Sequence, residues 1–124
     1  MSFLFLKAYQ SLVIFDGYIR RNDFGRLYRR VRNCPVAARP PLADAVDRIG
    51  YAIDLASIWY WKKVLCLQRS AATVWLLKRH GVPAELVIGV QQLPFRAHAW
   101  VEVSGKVTND KPYISEIYAV VERC

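Results

Sequence analysis

Residues 65–80 are the stretch that most limits how this chain can fold. Leu67, Ala71, Ala72, Val74, Trp75, Leu76 and Leu77 make it apolar around most of a helical circumference. A helix of that kind is usually central and buried. The pattern predicts a helix over about Leu65 to His80, with Gly81 suited to the position just past its end and Pro83 to the stop. Directly downstream the period changes from helical to alternating. Residues 85–90 (ELVIGV) read as one strand and Ala97 to Val103 as a second. In the second, His98, Trp100 and Glu102 share one face, and Ala99, Val101 and Val103 share the other. Ser104-Gly105-Lys106 signals a turn, and Lys106 to Thr108 and Ile114 to Val121 read as further strands.

Upstream of the apolar helix the period is helical throughout. Phe3, Leu6, Tyr9, Leu12 and Val13 place a helix over residues 3–16. A second spans residues 23–33, capped by Asn22 or Asp23, with Phe24, Leu27, Tyr28 and Val31 alternating with arginines. Cys34-Pro35 and Arg39-Pro40-Pro41 break the chain into a loop. A third helix is expected from about Leu42 to Ser57, striped by Val46, Ile49, Ile53 and Ala56, with Asp44 and Asp47 in its first turn. Residues 58–63 are aromatic and ambiguous. Helices followed by an antiparallel sheet define an α+β class. At 124 residues the expectation is one domain, residues 1–41 being a helical N-terminal part and residues 42–124 the core that carries the chemistry.

Composition narrows the class further. A 54% hydrophobic chain is not a disordered one. Its most apolar N-terminal run, Phe3 to Phe15, is broken by Lys7 and Gln10, and a spanning helix needs about twenty apolar residues. The same run lacks the charged start and small-residue cleavage site of a signal peptide, so a cytoplasmic location with reduced thiols is expected. Cys34, Cys66 and Cys124 are an odd set, about thirty or more residues apart, and there are only two histidines. That spacing suits neither a disulfide framework nor a zinc site.

The net charge of +8 is unevenly placed. Residues 1–40 hold eight basic and two acidic side chains, net +6, and six of the arginines fall between Arg20 and Arg32. Such a cluster serves as a solvated helix face, as a docking surface for an acidic partner, or as a nucleic-acid contact. The apolar stripe in the same segment argues for a packed helix rather than a basic arm.

One constellation carries chemistry. Cys66 stands at the start of the apolar helix, where unpaired N–H groups and the helix dipole favour a thiolate. His98 lies in a strand between two alanines, which leave room around an imidazole. Asp110 follows in Thr108-Asn109-Asp110-Lys111-Pro112. Register tests it: a two-residue turn at Ser104-Gly105 would put Asp110 opposite Ala99, on the wrong face. A three-residue turn, or a bulge, would bring Asp110 to the His98 face. Asn109 is the alternative orienting residue. Each residue alone also fits a structural role. Together they form a Cys-His-Asp set in which cysteine attacks a carbonyl, histidine moves protons and aspartate fixes the imidazole tautomer. Cys34 and Cys124 lack such surroundings. His80 suits the C-terminal end of its helix.

Cys66-Leu67-Gln68-Arg69-Ser70-Ala71-Ala72 with Leu76-Leu77-Lys78-Arg79-His80-Gly81, then Leu86-Val87-Ile88-Gly89-Val90 and Phe95-Arg96-Ala97-His98-Ala99-Trp100-Val101-Glu102-Val103, resemble the signature of the lasso peptide biosynthesis B2 proteins, the transglutaminase-like leader peptidase family. The resemblance covers about residues 60–122 closely. It implies a transglutaminase/papain-like cysteine protease core that cuts the leader from a ribosomally synthesised lasso-peptide precursor in antibiotic biosynthesis. It implies Cys66 as nucleophile, His98 as base and acid, Asp110 as the orienting group, and no cofactor or metal. Ser70 and Arg69 match the signature in packing or surface roles. The length is short for a fused recognition domain, so the expected partners are the precursor peptide, a separate leader-recognition protein of B1 type and the lasso cyclase, with no nucleic acid and no membrane span. The Cys66 N–H is the natural oxyanion donor; no second donor stands out, although Trp59 and Trp61 lie just upstream. The competing readings are another acyl transferase or amidase on the same fold, and a catalytically inert basic binding module.

Overall fold

The computed structural model describes residues 3–41 and 43–124. Its elements run α1 (Phe3–Arg20), α2 (Phe24–Asn33), α3 (Ala45–Trp59), α4 (Cys66–Arg79), β1 (Glu85–Gln92), β2 (Phe95–Val103), β3 (Lys106–Val107), α5 (Ile114–Ile117) and β4 (Ala119–Arg123). Four helices pack with an antiparallel sheet of order β3-β2-β1-β4. This is the expected α+β class. No described helix is long and apolar enough to cross a membrane.

The all-round apolar helix is central, as its sequence demands. Ala71, Ala72, Val74, Leu76 and Leu77 of α4 are buried among Ala8, Leu12 and Phe15 of α1, Leu27 and Val31 of α2, Ile49 and Ile53 of α3, and Leu86, Ala99 and Val101 of the sheet. Burial at this scale is the main source of stability. Two polar side chains drawn into it are paired with backbone carbonyls. Gln68 Nε2 donates to the Leu12 carbonyl at 2.9 Å, and Lys78 Nζ donates to the Val31 carbonyl at 2.8 Å. Lys78 thereby places its cation on the C-terminal turn of α2, where the helix dipole is negative. Gly81 takes φ +86°, and a Cβ there would stand 2.4 Å from the Arg39 carbonyl oxygen. Only glycine meets both conditions.

The boundaries differ from expectation in instructive ways. α1 runs four residues past residue 16, because Gly17 costs too little to stop a helix whose Phe15 and Asp16 are buried. Asp23 is the N-cap of α2, accepting from the Arg26 N–H at 3.3 Å. α3 starts at Ala45; Asp44 precedes it in a left-handed conformation rather than sitting in its first turn, and Leu42 lies outside the described residues. β1 and β2 extend to Gln92 and Phe95 and turn through Leu93-Pro94.

The largest correction is at residues 114–121, read as one strand. Residues 114–117 form a single helical turn and only then does β4 begin. Ile114 is buried against Val87 and Trp100 on the sheet face turned away from the helices. A short turn drops that side chain into place, which an extended segment would not do. β4 then pairs with β1, with a register shift between Ile88 and Gly89.

Candidate active site

Cys66 is the first residue of α4. The N-cap, Leu65, has no side chain that can cap, and the first helical bond runs from the Arg69 N–H to the Leu65 carbonyl at 2.9 Å. The N–H groups of Cys66, Leu67 and Gln68 therefore precede the ladder at the positive end of the helix dipole. The approach to Cys66 is anchored upstream. Tyr60 donates its hydroxyl to buried Asp16 of α1 at 2.9 Å, and Lys62 pairs with the other oxygen of Asp16 at 2.8 Å. Burial and the Asp16 carboxylate push the Tyr60 phenol up to about 12.

His98 and Cys66 line one cavity of about 230 Å³, together with Phe24, Tyr28, Leu67, Ile88, Ala97 and Ala99. Apart from Cys66, His98 and Tyr28, the residues lining it are apolar. His98 stacks on Tyr118 at 5.3 Å and on Trp100 at 6.2 Å between ring centres. Gly89, paired with His98 across the sheet, makes this packing feasible. A Cβ at Gly89 would stand 2.7 Å from the Trp100 ring and 2.8 Å from Tyr118 Cβ. The indole N–H of Trp100 donates to Glu102 at 3.0 Å, and Arg123 binds the same carboxylate at 2.9 Å.

His98 Nε2 lies 2.5 Å from Asp110 Oδ2. Burial pushes the Asp110 carboxyl up, but the hydrogen bonds from His98 and the Lys111 N–H, with the charges of both side chains, outweigh it and hold the carboxyl below its ordinary value. An ionised carboxylate only accepts, so Nε2 carries the proton of that bond and Nδ1 is left for a second partner.

Of the two expected routes, a three-residue turn or a bulge, the three-residue turn is not the one that brings Asp110 to His98. The turn is the two-residue one, pairing Val103 with Lys106, with Ser104 and Gly105 both at positive φ. The ladder then stops. The Thr108 N–H still donates to the Val101 carbonyl at 3.0 Å. The return bond from the Val101 N–H goes to the side-chain oxygen of Asn109, at 2.8 Å. The side chain takes the role that a strand carbonyl would have filled, and the backbone is released to swing Asp110 to His98.

Asn109 thus does not orient His98. Its amide donates to Ser70 Oγ at 3.0 Å, and Ser70 donates to the Ala99 carbonyl at 3.2 Å. Ser70 is fully buried. The pair fastens the helix of Cys66 to the strand of His98, a role the sequence pattern did not disclose. Phe24 and Tyr28 were legible only as part of the α2 stripe, yet they wall the cavity. Their spacing of four residues on a helix was the available signal. Trp59 and Trp61 are 70% and 66% exposed and do not line it. Cys34 and Cys124 are free thiols outside it, and burial pushes both up. His80 bonds the Leu76 carbonyl through Nδ1 at 2.9 Å at the end of α4. Among the described residues no group of three or more His, Cys, Asp or Glu is placed to hold a metal ion.

A sequence model of the transglutaminase-like superfamily matches residues 12–123. The Microcin J25-processing protein McjB of Escherichia coli is 43% identical over 56 residues, a stretch covering 45% of this chain and 27% of that protein. The chain therefore matches about a quarter of that relative's length. No solved structure matches the chain.

Proposed function

The chain belongs to the transglutaminase-like superfamily, and from that premise we propose that it is a cysteine endopeptidase removing the leader from a ribosomally synthesised lasso-peptide precursor. In this reading a separate leader-recognition protein of B1 type presents the precursor. The observation that carries it is a cavity walled by both Cys66 and His98, with the imidazole bound from behind by Asp110. The likeness to a peptide-processing protein supports the substrate class.

Cys66 Sγ attacks the carbonyl carbon of the last leader residue, its proton passing to His98 Nδ1. The oxyanion forms at the start of α4, where the Cys66 N–H donates. His98 then gives the proton to the departing core amine, the C–N bond breaks, and a leader thioester remains on Cys66. A water, deprotonated by His98, hydrolyses the thioester and restores the thiol. Asp110 keeps the proton on Nε2 and stabilises the imidazolium during both transfers. The freed amine is the nucleophile that an ATP-dependent lasso cyclase would join to a side-chain carboxyl.

The test is incubation of the protein with precursor peptide and recognition protein, read by mass spectrometry. Wild type should yield leader acid and core amine. Cleavage by Cys66→Ala would overturn the mechanism. A leader amide formed on adding a primary amine, in place of the acid, would make the reaction acyl transfer.

A further inference from the structure

A second concavity, of about 810 Å³, lies against α2, the loop after it and α4. Its wall includes Arg26, Arg29 and Arg30 of α2, Arg79 of α4, Tyr18 and Trp75, and no carboxylate. On a helical wheel, Arg26, Arg29 and Arg30 face away from Phe24 and Tyr28. One helix therefore separates this groove from the cavity of Cys66 and His98. The guanidinium groups are preset. Arg30 lies over the Trp75 ring at 5.5 Å and donates to the Tyr18 hydroxyl at 3.1 Å; Arg79 lies over the same ring at 4.5 Å. Planar guanidinium forks held on an aromatic face suit carboxylates bound through two hydrogen bonds. Among the described residues, Arg26 is the one of these four arginines with an ion-pair partner, Asp23 at 3.3 Å.

We propose that this groove binds an acidic segment of the peptide substrate, holding it on one side of α2 while the scissile bond lies on the other. Calling that segment substrate rests on the peptidase reading; binding itself does not. Trp75 decides between polyanions. A single-stranded nucleic acid is gripped by bases stacked on open aromatic rings. The Trp75 ring is already covered by two arginines, which leaves carboxylates to be bound and no platform for a base.

The test uses full-length protein carrying Cys66→Ala, so that nothing is cut, and fluorescence anisotropy of a labelled oligoglutamate peptide. Binding should be saturable and should weaken as salt rises. The double variant Arg29→Glu/Arg79→Glu should bind about tenfold more weakly or worse. The control Arg48→Glu/Lys106→Glu, equal in net charge and on exposed positions outside the groove, should bind like the parent. Circular dichroism checks that each variant is folded. Unchanged affinity in the groove variant overturns the proposal, and so does an equal loss in the control, which would make net charge the cause. An oligonucleotide of the same charge that binds more tightly than the peptide also overturns it. Failure of precursor cleavage with intact oligoglutamate binding would remove the peptidase reading and leave the groove standing.

Discussion

The two sides of α2 confront spaces of opposite character. One is small and mostly apolar, and holds a thiol and an imidazole. The other is more than three times larger and carries four arginines. Few polar groups among apolar walls suit proton transfer, because charge interactions gain strength in less polar surroundings. Many exposed cations suit recognition, where each contact is weak and screened by salt. A single amphipathic helix would serve both in the proposed reading, since its Leu27 and Val31 are buried and leave two other faces free. Chemistry and recognition should therefore separate under mutation.

The largest effect is expected from Cys66→Ala, which should lower precursor cleavage by about a thousandfold or more and leave oligoglutamate binding unchanged. A loss of both would break the comparison. Next comes Asp110→Asn, which should lower kcat by about a hundred- to ten-thousandfold with little change in KM. Its pH behaviour has a definite sign. The Asp110 carboxyl is held below its ordinary value, so its contribution to stability is complete above the unfolded value of about 3.9 and is lost as pH falls through the lower folded value. Denaturation of wild type and Asp110→Asn should therefore differ at neutral pH and converge in acid. Gly89→Ala should destabilise the fold by about 1–3 kcal/mol, because the added methyl meets Trp100 and Tyr118. It should slow cleavage through His98 without affecting the groove, with thermal unfolding and anisotropy as the two readouts. The smallest effect belongs to Arg29→Glu/Arg79→Glu in the active protein. KM for the precursor should rise about tenfold at low salt with kcat preserved, and the gap from wild type should narrow as salt is added.

The helix of Cys66 and the face shared by His98, Trp100 and Glu102 were legible, because both follow from local periodicity. Gly81 declared the end of α4 in the same way. The path to Asp110 was not. Strand register left two turns open and tied Asp110 on the His98 face to a three-residue turn or a bulge. The turn that forms is the two-residue one, since arithmetic on a ladder cannot foresee that a side-chain amide will replace a carbonyl. The turn at Ile114 was hidden for a related reason: the β-branched and aromatic residues from Ile114 to Val121 look like a strand until Trp100 and Val87 supply a niche for Ile114. The wall formed by Phe24 and Tyr28 depends on contacts between residues some forty or more positions apart, which no local pattern contains.

The stitch from Ala99 through Ser70 to Asn109 also says something about time. Its bonds join residues 29 and 39 positions apart, whereas the bonds within α4 are local. Closing long loops costs chain entropy that local helix formation does not, so such contacts tend to come late in folding. A nascent chain in which α4 has formed but the sheet has not would carry its thiol well away from its imidazole. Bringing Cys66 and His98 to one cavity is then a property of the finished fold.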